Sequence, residues 1–543
     1  MNKSAIPNAS TARLAKRLRT SLRLAAVAAL AQMSIAHAAT ITASSCALSA
    51  VQSAVNQAAA GDTVRIPAGT CSWGSYLSWN PPPNTALIGA GNLSTLGGGD
   101  ATVIIDDAAT GAPLLDITTT SGTFRLAGIT VRGGRGSIKE GGMIYVGGPS
   151  KQVRIDHNHI DKTTYSPQNS GKFMVLGGTI AGVVEQNLIS AGSRIGWIHI
   201  VNGGSTGDEA WAAPTGFGGS DFIFLESNRL VGDVDSGLSP PAFTATLTDC
   251  HTGGRYVARY NTIIGGAVGQ THPTGHAGHD RGCRAHEIYG NTVTAPLDPR
   301  TQQPAYAFEY NNSGTALVWG NTFDQVFKNI FVLNVIRRDT STYGQNPTPN
   351  GWGYCGTEFN GTGSRWDGNS DGVSGYPCLD QPGRGQGDLL SGDFPNQINK
   401  RTGSIAWPNQ RLEPIYEWLN SGGVVPGWGG GYMSNQAPTR IMANRDYYLF
   451  TTGFNGASGV GSGPRSSRPG SCTPGVAYWS TDQGGSWNSQ NGSGNDGTLD
   501  ICTASNSWTN AAYTPYTYPH PAAQGQTAPA PVSLSAPLNL IVR

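Results

Sequence analysis

The sequence predicts an all-β fold: a right-handed parallel β-helix with an N-terminal capping helix and a loop-rich C-terminal region. Three observations carry this. A short strand pattern recurs at coil-length intervals, the stretches between copies hold no good amphipathic helix, and the composition is Gly-rich and charge-poor. Charged residues make up 13% of the chain and Gly reaches 76, which suits many tight turns and is unlike an ordinary α/β enzyme.

The recurring pattern alternates apolar residues, then places an Asn, then another apolar residue two positions on. It spans Val153–Ile160 around Asn158, Gly182–Ile189 around Asn187, Ile223–Leu230 around Asn228, Tyr256–Ile263 around Asn261, His286–Val293 around Asn291 and Ala316–Phe323 around Asn321. An earlier copy, Phe124–Val131, is read with Gly128 in the Asn place. Counted from Gly128 through each Asn, the steps are 30, 29, 41, 33, 30 and 30 residues. Alternation with period two makes each copy a strand. One such strand cannot bury its apolar face alone, so the copies stack into a common core. The two longer steps imply loops thrown outward. Asn tolerates the left-handed backbone of a strand corner and its amide can bond to the next coil, so the Asn column reads as structure and not as a site.

Ahead of the coils, Leu48, Val51 and Val55 share one face of a short helix that ends at Gly61, and Thr63–Pro67 begins a strand. The helix is expected to cap the open end of the solenoid. Further upstream, Lys3, Arg13, Lys16, Arg17, Arg19 and Arg23 precede an apolar run, Leu24–Ile35, and then Ala36-His37-Ala38. The run is short of the roughly 20 residues that span a bilayer, and reads as a cleaved signal peptide over 1–38. The mature protein is then expected to be secreted, either to a periplasm or outside the cell. Its net charge becomes 1 − 6 = −5, which argues against nucleic acid. An anionic polymer stays open, because a bound cation or an Arg cluster can reverse the field in one groove.

Eight cysteines suit disulfides in an oxidising compartment, and no short Cys-x-x-Cys pair suggests zinc. Pairing of neighbours is expected: Cys46 with Cys71, Cys250 with Cys283, Cys355 with Cys378 and Cys472 with Cys502. The solenoid is expected over 39–335, a loop-rich β continuation packed on it over 336–521, and a disordered Pro/Ala-rich tail over 522–543. The coil pattern and the phrase Ala58–Gly69 resemble the pectate lyase superfamily of right-handed β-helix proteins, over about residues 40–335. Tyr513–Pro521 is similar to the tail of uncharacterised secreted members of that fold. The superfamily includes polysaccharide lyases, hydrolases, epimerases and phage tailspikes, so the resemblance implies a fold and not one reaction.

Taking Ile155, Val184, Leu225, Ala258, Ile288 and Val318 as inward, the outward column reads Leu126, Asp156, Glu185, Glu226, Arg259, Tyr289 and Trp319, about 4.8 Å apart. Three stacked carboxylates need a cation or an Arg among them, and their oxygens suit Ca²⁺. Asp156, Glu185 and Glu226 are therefore the candidate metal ligands. Arg259, Glu287 and His272 are the candidate catalytic groups, while Tyr289 and Trp319 offer flat faces to sugar rings. The competing reading is a solvated polar face. Asp249–Glu287 is the densest polar stretch and holds five of the ten histidines. Its loop can supply acid and base, with Arg281 and Arg284 gripping substrate carboxylates. It can instead hold a transition metal through His272, His276 and His279, or be a plain loop pinned by Cys250–Cys283.

The leading functional expectation is a polysaccharide lyase cleaving a uronate-containing glycan by β-elimination, acting as a monomer with no membrane span. An inverting hydrolase using Glu226 and Glu287 is the second. A non-catalytic glycan-binding solenoid is the third.

Overall fold

The computed structural model describes residues 38–523, except 110, 136–140, 165–170, 193–195, 233, 236–241, 244, 273–280, 295–304, 335–379, 388–409, 428, 439–440 and 493. The expected signal peptide, the tail beyond 523, the Cys355–Cys378 pair and His276 and His279 lie outside the described residues.

The coils close into a parallel β-helix. Its first sheet stacks twelve strands, all parallel, from Thr40–Thr42 through Gln152–Asp156, Gly182–Glu185, Ile223–Glu226, Arg255–Arg259, Ala285–Tyr289 and Thr315–Trp319 to Tyr447–Leu449. Each coil then turns into a second ladder, of which His159–Asp161 and Leu188–Gly192 are rungs, and next into a third. The third runs through Leu115–Thr118, Ile144–Gly147, Met174–Gly177, Gly196–Val201, Ala245–Cys250 and Gly266–Thr271. The long strand Thr322–Leu333 takes part in both of these ladders. Ile155, Val184, Leu225, Ala258, Ile288 and Val318 all lie in the enclosed apolar core, as period two requires.

The asparagines form one continuous ladder. The backbone N–H of each donates to the side-chain oxygen of the next: Asn158 to Asn187 at 2.9 Å, Asn187 to Asn228 at 3.1 Å, Asn228 to Asn261 at 3.0 Å and Asn261 to Asn291 at 3.0 Å. Each amide nitrogen also reaches a strand carbonyl, as Asn261 does to Leu225 at 2.8 Å. Two details differ from expectation. The left-handed corner is taken by the residue before each Asn, namely His157, Gln186, Ser227 and Tyr260, with φ between 51 and 56°. Gly128 (φ 68°) belongs to that corner position, so Ile129 stands in the Asn place and donates to Asn158. The ladder also continues past residue 335: Asn321 donates to Asn420 at 2.9 Å, 99 residues on.

The helix Leu48–Val55 forms as expected and buries Val51, Ala54 and Val55 against the core. Disulfides join Cys46–Cys71, Cys250–Cys283 and Cys472–Cys502, bonds that persist in oxidising compartments. Beyond the last coil, Val460–Gly463, Ala477–Ser480, Thr498–Ala504 and Ser507–Tyr513 form a separate four-stranded sheet. Among the described residues no helix is long and apolar enough to cross a membrane.

Candidate functional site

The outer face of the first sheet is not a groove. Val183, Phe224, Val257, Leu317 and Tyr416 on that face form a second apolar core with Val460, Trp479, Leu499 and Tyr513 of the C-terminal sheet. Tyr289 is fully buried and Trp319 9% exposed. Their rings stack on each other at 4.5 Å, Trp319 stacks on Trp418 at 5.6 Å, and Trp479 covers Trp319 at 4.8 Å. These rings face protein, which leaves no open side for a sugar.

The polar column is likewise internal. The register pairs Asp156 with Ala127 and Glu185, then Glu185 with Glu226 and Glu226 with Arg259. Leu126 pairs with Ile155 and lies in the core, the consequence of the one-residue slip at Gly128. Arg125 holds Asp156 through two bonds of 2.8 and 2.6 Å, and Arg154 reaches Asp156 at 3.1 Å and Glu185 at 2.8 Å. Arg259 grips Glu226 at 2.8 and 2.6 Å, and the backbone N–H of His520 donates to the other Glu226 oxygen at 2.9 Å. Guanidinium groups therefore neutralise this trio, and its arrangement does not fit a calcium site. Among the described residues no group of three His, Cys, Asp or Glu could hold a metal ion. Burial pushes Glu185 up to about 7, with Arg154 opposing and the neighbouring Glu226 and Asp156 adding to it.

Arg259 does structural work. It also donates to Tyr289 Oη at 3.0 Å and to the carbonyls of Tyr516 at 2.7 Å and Thr517 at 2.9 Å, between the rings of Phe224 and Tyr518. Burial works against its charge, yet Tyr289 and Glu226 hold its pKa above the ordinary arginine value. Glu287 is buried and accepts from Gly218 N at 2.8 Å and Tyr513 Oη at 2.6 Å. The Tyr513–Pro521 segment is thus a strap fastened by Arg259 and Glu287, two of the three residues expected to be catalytic.

Arg281 and Arg284 are also internal. Arg281 pairs with Asp380 at 2.6 Å, Arg284 with Glu413 at 3.0 Å, and both guanidinium groups lie about 5 Å from the Trp211 ring. Trp211 belongs to the helix Asp208–Ala212, which also carries Glu209.

His272 leads to a different place. On the third ladder an open cleft of 850 Å³ is lined by Tyr145, Lys172, His199, Glu209, His251 and Thr252, among others. A bulge at Leu247 shifts the register so that His199 stands beside Asp249; bulges of this kind re-aim side chains. His272 Nδ1 lies 2.8 Å from Asp249, the His199 and His251 rings are 4.4 Å apart, and His251 and His272 are 6.2 Å apart. Asp249 is 2% exposed. Burial works against its ionisation, but His272 and the other imidazoles hold its carboxyl well below the usual range. Burial pulls His199 down to about 4. Both ring nitrogens of His199 are buried without a hydrogen-bond partner among the described residues, a cost that a bound ligand can relieve. The Cys250–Cys283 bridge sits in the core directly beneath Asp249 and His251, and Cys250 O accepts from His272 N at 2.8 Å. Sequence reasoning named His272 but missed His199; the alternation in Ile198-His199-Ile200 was the available signal.

Two outcomes follow from these contacts. Arg259→Ala should cost about 3–5 kcal/mol, because it strands a buried carboxylate. Denaturant unfolding should show that loss, hydrogen exchange should show 516–520 freed, and an unchanged midpoint would contradict the strap. His199 keeps a folded pKa of about 4 against an ordinary value of about 6.5. Between those pH values the unfolded chain takes a proton that the folded chain refuses. The wild type therefore loses stability from this group as pH falls from 6.5 towards 4, and keeps it above 6.5. His199→Gln removes the effect, so it should gain on the wild type by up to about 3 kcal/mol across that window. Parallel stability curves for the two would contradict the buried neutral imidazole.

No protein-family model matches this chain, and no curated protein matches it. Among solved structures it is similar to the family 28 exopolygalacturonase of Yersinia enterocolitica. That likeness has 13% identity, covers 55% of this chain and 75% of that one, and has a TM-score of 0.24; the β-helix here rests on its own strand pairing.

Proposed function

We propose that the protein is a polysaccharide-acting enzyme that cleaves a uronate-containing glycan by β-elimination in the cleft beside Asp249. The observation that carries this is His272, its Nδ1 2.8 Å from a buried carboxylate and its ring 6.2 Å from that of His251, which lines the open cleft. A carboxylate at Nδ1 favours the tautomer that carries its proton there, which makes Nε2 the nitrogen able to act as general base. Lys172 lines the same cleft and offers a positive charge to a uronate carboxylate, which acidifies the neighbouring C5–H. Nε2 of His272 takes that proton, the C–H electron pair becomes the C4–C5 double bond, and the C4–O4 bond breaks. The departing oxygen collects a proton from His251.

Glu209 on the cleft wall favours a second reading, hydrolysis by Glu209 and Asp249 as paired carboxyl groups.

The test is turnover on a panel of uronate and neutral polysaccharides, following ultraviolet absorbance of unsaturated uronate and release of reducing ends together. Absorbance should rise with the wild type and fall about 10²–10⁴-fold in both His272→Ala and Asp249→Asn. Full activity in His272→Ala would remove it as the base. Reducing ends without absorbance would move the case to hydrolysis, and neither signal would leave a glycan-binding solenoid.

A further inference from the structure

Tyr145 sits on the third ladder with its side chain half-buried at the cleft. Its ring lies across two glycine backbones. A Cβ on Gly147 would fall 2.6 Å from Tyr145 Cζ, and one on Gly177, in the next coil, 3.2 Å from Cε2. Any side chain at Gly147 would displace the ring, so the two glycines let it lie along the sheet and bridge neighbouring coils. Register then steps from Tyr145 to Val175, to His199 and to Asp249.

We infer that Tyr145 is a sugar-stacking subsite that reads the length of the bound glycan. The inference rests on the proposed function and deepens it. Each coil advances about 4.8 Å, close to the length of one sugar residue in an extended chain. A glycan running along the solenoid axis thus meets roughly one residue per coil. Three register steps separate Tyr145 from Asp249, about 14 Å. A sugar ring packed on Tyr145 is therefore about three to four residues from the bond broken between Asp249 and His272, which follows the strand of the next coil. The apolar C–H face of a pyranose matches the exposed ring face, while Lys172 between them meets carboxylates. The protein on this account prefers chains that extend at least three residues beyond the scissile bond, and works poorly on shorter ones.

The test uses homo-oligomers of galacturonate, mannuronate and guluronate, two to eight residues long. Binding is measured calorimetrically to the His272→Ala protein, with and without Tyr145→Ala or Tyr145→Phe. Affinity should rise with length and then level off. Tyr145→Ala should weaken binding of the longest oligomers about tenfold and leave the shortest unchanged. Tyr145→Phe, which keeps the ring, should bind like the parent. An equal loss at every length would mean a general disturbance of the cleft and would overturn the subsite, as would no loss at all. Length-dependent binding that survives Tyr145→Ala would overturn the subsite and leave the proposed function standing. Binding of none of the oligomers would overturn both.

Discussion

The first sheet of this solenoid is apolar on both faces, and that constraint shapes the rest of the molecule. Its inner face closes the common core through Ile155, Val184, Leu225 and Ile288. Its outer face presents Phe224, Val257, Leu317 and Tyr416, an area whose exposure to water would invite aggregation. The C-terminal sheet and the strap through Tyr516–His520 answer that need. The strap is held by a few strong contacts, chiefly Arg259 with Glu226 and Tyr513 with Glu287. Breaking either leaves a buried carboxylate short of a main partner, which is costly.

Covering that face leaves the open cleft to another one. The open cleft lies on the third ladder, where Asp249, His251 and His272 are set at the ends of two neighbouring strands. Rigid elements hold them in place. The Cys250–Cys283 bridge lies below, and the bulge at Leu247 aligns Asp249 with His199. Arg281 and Arg284 brace the Trp211 helix that carries Glu209. Arg281 and Arg284, expected to touch substrate, thus lie one layer behind the cleft wall.

Much of the fold was legible because its signals are local and repeated. Period-two alternation marks the inward positions, the Asn residues mark the corners, and the pattern Leu48–Val51–Val55 marks the cap. The slip at Gly128 arose because Gly suits the left-handed corner so well that it was aligned with the Asn beside it. The covered outer face was harder to see, although Phe222-Ile-Phe-Leu225 and Tyr256-Val-Ala258 are continuous apolar runs. Such runs are what a parallel strand buried on both sides requires; read as half-exposed, they suggest a groove on a face that the C-terminal sheet covers. The third ladder carries no repeating marker, so the partnership of His199 with Asp249 depends on a bulge and a register that only the folded chain supplies. His272 alone joins the two accounts.

The most direct measurement is hydrogen exchange of the His272→Ala protein with and without a saturating uronate oligomer. Protection should appear over 145–149, 172–179, 199–205 and 249–252, with Arg255–Arg259 and Ala285–Tyr289 unchanged. Protection confined to the strap and the first sheet would contradict the placement of the site, and return the glycan to the face that the C-terminal sheet covers.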